Sequence, residues 1–202
     1  MKTIQFNHQT IAPSKVVCIG RNYVEHIKEL GNEIPENMVV FNKPNSAISD
    51  ILYFVDETTR FEAEICFLVE NNSLSGIGVG LDLTKASVQN KMKEKGLPWE
   101  RAKAFDGSAV LSDFITLDMP LETLSMKLLL NDRLQQHATY ELMMYKPLEM
   151  LDEIGSFMTL EDGDIIMSGT PKGVANYHRG DIFTIELFSA DEMILTQTWQ
   201  AT

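Results

Sequence analysis

Short apolar runs alternate with glycine, proline and polar turns along this chain. The run at 15–20 ends at a glycine, the run at 39–44 ends at a proline, and the run at 65–69 is apolar at every position. Short runs of this kind, bounded by turn residues, predict buried strands. The segments Asn71-Asn72-Ser73 and Asn131-Asp132-Arg133 have the composition of tight turns, and the second is expected to join the strands of a hairpin.

A short helix is predicted over 23–30. Asn22 is expected to cap it, because Glu25 three residues later completes the pattern of a capping box. Gly31 follows as a C-terminal stop. Its apolar stripe consists of Tyr23, Ile27 and Leu30.

Two longer helices are predicted further along the chain. Thr84 is expected to cap a helix that runs to about Lys95, with Gly96 as its stop. Gln89 lies inside this helix. The other helix is predicted over 145–157, where apolar residues repeat at helical spacing. They are Leu148, Leu151, Ile154 and Met158.

Glycine alternates with apolar residues between positions 76 and 82. As a strand, this segment would place Ile77, Val79 and Leu81 on one face and no side chain on the other. Asp82 would point to the bare side. Such a face is typical either of a ligand or metal that approaches the backbone or of close packing against another strand, and the pattern leaves both open. The glycine spacing does not match a dinucleotide-binding fingerprint.

Composition favours one globular domain over residues 1–202. Hydrophobic residues make up 44% of the chain, and no low-complexity segment or solenoid repeat is found. The net charge of −12 and the isoelectric point near 4.7 argue against nucleic acid as a partner, because binding to phosphates needs clustered cations. No apolar run approaches the ~20 residues of a membrane span, and the first residues lack a signal-peptide core. A cytoplasmic protein is therefore expected.

The two cysteines lie in separate apolar runs. Cys18 falls in VVCIG and Cys66 in EICFLV. These positions suit two buried free thiols better than a disulfide or a metal site built from closely spaced cysteines and histidines.

Two glutamates one residue apart lead into the apolar run at 65–69. On a strand, Glu62 and Glu64 would share a face, ~7 Å apart along the backbone. If this strand enters the core, both charges meet where repulsion is poorly screened, and a divalent cation would relieve it. The alternative is a half-exposed edge strand with two solvated glutamates.

Two further features suggest a general base and an anion-binding turn. His26 and Glu29 lie at positions i and i+3 of the first helix, so the carboxylate can orient the imidazole and raise its basicity. The pair is either a general base with its orienting partner or an ordinary surface pair. The turn at 168–173, SGTPKG, offers a hydroxyl and backbone N–H groups to an anion such as a carboxylate.

Five motifs together resemble the fumarylacetoacetate hydrolase family, and within it the small single-domain acylpyruvate hydrolase group. They are GRNYVEHIKELG, FEAE, LDLT followed by Gln89, KGLPWERAKAFD, and LEDGDIIMSGTPKGV. The match runs from about Lys15 to Ile185. The resemblance implies an α+β fold, a roll of mixed β-sheets with short helices, that usually forms homodimers.

The resemblance also implies the parts of an active site. Glu62, Glu64 and Asp82 would hold Mg²⁺ or Mn²⁺. His26 and Glu29 would form a catalytic dyad. Lys103 would act with them and contact the substrate. The implied substrate-binding residues are Arg21, Gln89 and Thr170, of which Thr170 matches the position associated with a substrate carboxylate. Two segments depart from the family pattern, Lys85-Ala86-Ser87 and Gly107-Ser108-Ala109.

The expected activity is metal-dependent hydrolysis of an acylpyruvate. Three carboxylates select a hard cation, and the carboxylate and keto oxygen of a 2-oxo acid suit its remaining positions. His26 would activate a water that attacks the distal acyl carbon, while Lys103 stabilises the oxyanion. The products would be pyruvate and a carboxylic acid.

Three alternatives remain open. The same site could decarboxylate oxaloacetate or interconvert its keto and enol forms, since an enolate arises in each case. A non-catalytic dicarboxylate-binding protein of the same fold is the third, although the complete set of site residues argues against it.

Overall fold

The computed structural model describes residues 1–29, 31 and 33–202. The first strands are β1 (Ile4–Phe6), β2 (Gln9–Ile11), β3 (Lys15–Gly20), β4 (Val39–Pro44), β5 (Ile48–Ser49), β6 (Thr59–Phe61), β7 (Ala63–Glu70), β8 (Ser73–Asp82) and β9 (Thr84–Lys85). The later strands are β10 (Ala109–Leu111), β11 (Ile115–Thr116), β12 (Leu124–Leu130), β13 (Arg133–Thr139), β14 (Ile165–Met167), β15 (Ala175–Asn176), β16 (Ile182–Ser189) and β17 (Glu192–Gln200). The α-helices are α1 (Val24–Glu29), α2 (Ala86–Glu94), α3 (Glu100–Lys103) and α4 (Pro147–Phe157).

Two sheets form the body of the described chain. In the larger, eight-stranded sheet the hydrogen-bonded order is β4-β3-β14-β7-β8-β10-β5, with β11 also paired to β8. Strand β14 is parallel to β3 and β10 is parallel to β5, whereas the other pairs are antiparallel. The second sheet, β13-β12-β16-β17, is antiparallel throughout. Mixed sheets with a few short helices confirm the expected α+β class.

The larger sheet is buried on both faces. One face packs with the four-stranded sheet in the main core, where Phe61 and Phe183 stack edge to face with ring centroids 4.9 Å apart. The other face carries a smaller core that includes Cys18 and Cys66, both buried and free. The expectation of two buried free thiols is confirmed. No helix within the described ranges is both long enough and apolar enough to cross a membrane.

The glycines of β8 make room for close packing. A Cβ added at Gly76 would lie 3.0 Å from the Phe6 ring, and one at Gly80 would lie 2.8 Å from the carbonyl oxygen of Val110. The bare face over 76–80 therefore admits neighbouring groups rather than a ligand, so close packing is the correct alternative there. Asp82, at the end of the same strand, lies where this packing gives way to a pocket.

Both predicted turns are confirmed. Asn71 and Asn72 have φ values of 50° and 56°, and Asn131 and Asp132 have φ values of 49° and 63°. Two successive left-handed residues produce the tight hairpin turn whose twist matches the flanking strands. These turns join β7 to β8 and β12 to β13.

The predicted cap at Asn22 is wrong. Helix α1 begins at Val24, and the fully buried Asn22 side chain links distant segments instead. It accepts a hydrogen bond from the backbone N–H of Tyr145 at 2.7 Å and donates one to the carbonyl of Ser168 at 2.8 Å. Gly31 has a left-handed φ of 63°, consistent with the predicted stop, while Leu30 of the predicted stripe lies outside the described residues.

The predicted cap at Thr84 is also wrong. Helix α2 begins at Ala86, Lys85 holds the N-cap position without a side-chain bond, and the Thr84 hydroxyl donates to Glu62 at 2.7 Å. An N-cap hydroxyl accepts a hydrogen bond from a backbone N–H, whereas the Thr84 hydroxyl donates to the Glu62 carboxylate. Because a hydrogen bond to a carboxylate is the stronger of the two, this tertiary contact overrides local capping.

The apolar stripe predicted for the helix at 145–157 is only partly correct. In α4, Ile154 is buried as expected, but Leu148 is 56% exposed and Met150 is buried in its place. The helix begins at Pro147, whose fixed φ suits the first helical position.

Candidate functional site

Three carboxylates meet where β7 and β8 lie side by side. Glu62 immediately precedes β7, Glu64 is its second residue, and Asp82 ends β8. One oxygen from each carboxylate lies within 4.8 Å of the others. Since β7 is a central strand between β14 and β8, with Glu64 buried, the alternative of an exposed edge strand is wrong.

The cluster is electrostatically strained in the way that a cation would relieve. Burial, followed by the charges of Asp82 and Glu62, raises the pKa of Glu64 well above its usual value. The backbone N–H of Gly169 partly offsets this by donating to Glu64 at 2.6 Å. Clustered carboxylate oxygens with mutual repulsion fit a hard divalent cation such as Mg²⁺ or Mn²⁺.

Lys103 joins two members of the cluster. From the end of α3, its ammonium group lies 3.0 Å from Glu62 and 2.6 Å from Asp82. Burial alone would lower the pKa of Lys103, but the two carboxylates raise it overall, so the side chain stays an ammonium. Burial likewise opposes ionisation of Glu62, yet Lys103 and other neighbouring groups keep its pKa below the usual value.

Lys43 is a site residue that sequence reasoning missed. It lies on β4, is fully buried, and places its ammonium group 2.8 Å from Asp82. It also donates to the carbonyl oxygen of Lys103, which accepts a second hydrogen bond from Ser108 at 2.8 Å. A lysine inside an apolar strand was the available signal, because a buried ammonium group requires a partner.

His26 and Glu29 are a partly buried pair. The Nδ1 atom of His26 lies 3.3 Å from a carboxylate oxygen of Glu29, and His26 is only 6% exposed. The backbone N–H of Gly173 donates to the same carboxylate at 3.0 and 3.2 Å. This pair is therefore no ordinary surface pair, since His26 is buried and Glu29 is held in place by Gly173.

These groups converge on one pocket. Its walls are Ile19, Gly20, Arg21, His26, Phe41, Glu62, Asp82, Gln89, Lys93, Trp99, Lys103 and Thr170. Every predicted site residue lines it except Glu64 and Glu29. Glu64 has a carboxylate oxygen within 4.8 Å of those of Glu62 and Asp82, and Glu29 lies 3.3 Å from His26. The sequence did not point to the other five lining residues, Ile19, Gly20, Phe41, Lys93 and Trp99.

The 168–173 turn holds protein groups rather than presenting all of its donors to a ligand. The N–H of Gly169 binds Glu64, and the Thr170 hydroxyl donates to the carbonyl of Ala63 at 2.9 Å while accepting from Gln136 at 2.8 Å. Gly169 has a φ of 90°, and an added Cβ would lie 2.8 Å from Asn22. The expectation that this turn offers its backbone N–H groups to an external anion is wrong for Gly169, whose N–H already binds Glu64. Contact of Thr170 with a substrate stays a prediction.

Residues 15–198 match the family model described as fumarylacetoacetate (FAA) hydrolase C-terminal. The chain belongs to the fumarylacetoacetate hydrolase family. This match confirms the resemblance seen in the motifs. The chain is also 38% identical over 193 residues to oxaloacetate tautomerase YcgM of Escherichia coli, covering 85% of this chain and 87% of that protein.

Solved structures place the fold in the same family. The crystal structure of a candidate fumarylacetoacetate isomerase/hydrolase from Oleispira antarctica matches with a TM-score of 0.94 at 32% identity, over 100% of both chains. A fumarylpyruvate hydrolase from Pseudomonas aeruginosa, solved with Mn²⁺ and pyruvate, has a TM-score of 0.89. At 24% identity over 100% of this chain and 95% of the other, that likeness shows the fold alone. The expected mixed-sheet roll of the family is confirmed.

Proposed function

We propose that this family member is a divalent-metal-dependent oxaloacetate keto–enol tautomerase. The observation that carries the proposal is one pocket in which a carboxylate cluster suited to a hard cation faces a buried histidine paired with a carboxylate. The identity with the tautomerase of Escherichia coli supports the choice of reaction. The sequence leaves tautomerisation open as an alternative to acylpyruvate hydrolysis, and the identity with this tautomerase favours tautomerisation.

Glu62, Glu64 and Asp82 would hold the cation. When bound, Mg²⁺ or Mn²⁺ would act as a Lewis acid toward the oxygen atoms of a 2-oxo acid and make the protons on its C3 carbon easier to remove. The carboxylates themselves would position the ion at the pocket wall. Glu62 would bind the ion from the solvent side, because it is the least buried of the three carboxylates.

His26 would move the proton. Its Nε2 atom would take one proton from C3 of the keto form, and the electron pair of that C–H bond would become the C2–C3 double bond. The electron pair of the C2–O double bond would move to the oxygen, which would take up one proton from solvent, and His26 would release its own proton to solvent, so the isomerisation needs no other reagent. Glu29 would hold the imidazole and stabilise its protonated form.

Lys103 would stabilise the negative charge that develops on the C2 oxygen. Its ammonium group already lies at the carboxylate cluster, where the site excludes much of the solvent and an ammonium group acts strongly. Arg21, Gln89 and Thr170 would contact the substrate from the remaining walls.

Acylpyruvate hydrolysis is the second candidate, and a groove beside the pocket favours it. The groove has a volume of about 370 Å³ and shares Phe41, Trp99 and Lys103 with the site. An acyl substituent could extend into it, whereas oxaloacetate is too short to need it. The same His26 would then activate water instead of removing a C3 proton.

The rate at which the enol form of oxaloacetate disappears, measured together with pyruvate, distinguishes a tautomerase from a decarboxylase and a hydrolase. The enol form of oxaloacetate is mixed with the protein and Mg²⁺, its ultraviolet absorbance is followed, and pyruvate is measured in parallel. We expect absorbance loss faster than in buffer with Mg²⁺ alone, without matching pyruvate, and we expect EDTA to remove the acceleration. Pyruvate formed as fast as the enol disappears would identify a decarboxylase, and turnover of acetylpyruvate alone would identify the hydrolase.

A further inference from the structure

The pocket is lined by a lysine, Lys93, that belongs neither to the carboxylate cluster nor to the His26–Glu29 pair. Lys93 lies on α2, one turn beyond Gln89, and both line the pocket. Its ammonium group lies 5.3 Å from the centre of the Trp99 ring. Within the part of the chain that the structure describes, no carboxylate forms an ion pair with it.

The surroundings of Lys93 disfavour an unneutralised charge. Burial, followed by the positive charge of Arg21, lowers the pKa of Lys93, and Glu62 only partly opposes this. Lys103, the next cation of the pocket, is already bound to Glu62 and Asp82. A carboxylate that arrives beside Lys93 would therefore meet a positive charge that no ion pair with a described carboxylate neutralises.

We propose that Lys93 binds the distal carboxylate of a dicarboxylic 2-oxo acid, and that it thereby selects four-carbon dicarboxylates over 2-oxo acids with an uncharged tail. The inference rests on the proposed function and names its substrate class. The 2-oxo acid end would lie at the carboxylate cluster, while the far carboxylate would reach α2. The ammonium group of Lys93 lies over the Trp99 ring, which restricts its movement, so less side-chain freedom is lost on binding.

Inert ligands test this without turnover. Malate and 2-hydroxybutyrate differ only in whether the four-carbon chain ends in a carboxylate or a methyl group. Their Kd values are measured by calorimetry with Mg²⁺ for the parent, Lys93→Met, Lys93→Arg and the control Lys91→Gln. Methionine removes the charge and keeps an unbranched side chain of similar length, and Lys91 is exposed on the same helix.

We expect Lys93→Met to raise the Kd of malate about 10-fold or more, the usual effect of losing a hydrogen bond to a charged group. The Kd of 2-hydroxybutyrate should stay within twofold of the parent value. Lys93→Arg should recover much of the loss, and Lys91→Gln should match the parent. Equal weakening of both ligands, or no weakening of malate, would overturn the proposal. A melting temperature within a few degrees of the parent shows that each variant is folded.

Kinetics separate this inference from the proposed function. For oxaloacetate, Lys93→Met should raise KM with a smaller change in kcat, since the distal carboxylate is bound in both ground and transition states. A parent protein that prefers malate but does not accelerate enol decay would overturn the tautomerase and leave the role of Lys93 standing. If the parent catalyses tautomerisation but Lys93→Met leaves KM unchanged, the proposed function would stand and the role of Lys93 would be overturned.

Discussion

The buried carboxylates of the site differ in the partners that stabilise their charge. Asp82 is 1% exposed and lies between the ammonium groups of Lys43 and Lys103. Glu64 lacks such a cation within ion-pair distance among the described residues and depends on one backbone N–H. Because a buried charge is stable only with partners, Glu64 is the member of the cluster most sensitive to protons and to metal.

Apo stability should fall as the pH rises through the range where Glu64 ionises. A carboxyl group with a raised pKa binds its proton more tightly in the folded state, so unfolding becomes easier once the pH exceeds the ordinary glutamate pKa of 4.5. Urea unfolding in EDTA across this range measures the slope. Glu64→Gln should flatten it, and a parent slope unchanged by this substitution would exclude Glu64 as its source.

Removing Lys43 should destabilise the protein strongly. Lys43→Met leaves Asp82 without its nearest buried cation on that side, and breaking a buried ion pair usually costs about 3–5 kcal/mol. Urea denaturation measures the loss. In an Asp82→Asn background the same substitution should cost much less, because the charge it compensates is gone. Additive losses would show that Lys43 acts through packing and its carbonyl contacts instead.

His26→Ala should slow enol–keto exchange by ~10²–10⁴-fold, the usual contribution of a positioned base. Mn²⁺ affinity should stay close to that of the parent, since no ligand of the proposed ion is removed. Glu29→Gln should have a smaller effect, because the imidazole remains in place with weaker support. An unchanged rate in His26→Ala would remove the histidine from the mechanism.

At the scale of elements, the end of β8 depends on how closely it packs against its neighbours. In Gly80→Ala the new methyl group would lie 2.8 Å from the Val110 carbonyl and 3.0 Å from Cys66 Sγ. We expect a loss of about 1–3 kcal/mol and weaker Mn²⁺ binding, because Asp82 follows two residues later.

A glycine in α4 is the matched control. Nothing lies within 4 Å of a Cβ added at Gly155, so Gly155→Ala should stabilise the helix by about 0.5–1 kcal/mol. Both free energies come from the same urea titrations. If Gly80→Ala proved as harmless as the control, the strand would have room to shift and would not fix Asp82.

At the scale of the whole molecule, a bound cation should raise the melting temperature. An ion that binds only the folded state adds about 2.7 kcal/mol at 100 times its Kd, which corresponds to ~5–10 °C for a chain of this size. Scanning calorimetry with Mg²⁺, and with NaCl at equal ionic strength, measures the shift. It should vanish in Asp82→Asn. The same shift in that variant would mean that Mg²⁺ only screens the net charge of −12.

Local pattern predicted much of the secondary structure. The strands at 15–20 and 39–44 and both asparagine turns follow the sequence residue by residue, because apolar runs and left-handed turn residues act over a few neighbours. The adjacency of Glu62 and Glu64 and the spacing of His26 from Glu29 are also local. Placing Asp82 and Lys103 with them required the family resemblance, since each lies on another element.

Tertiary structure decided what no local pattern contains. Asn22 and Thr84 satisfy the rule for helix caps, yet both side chains bind groups from distant segments, because those partners compete successfully for them. Lys43 and Lys93 became site residues only through strand order and the position of α2 beside the pocket. Such contacts join residues far apart in the chain, and their free energy depends on burial that arises only once the sheets have packed.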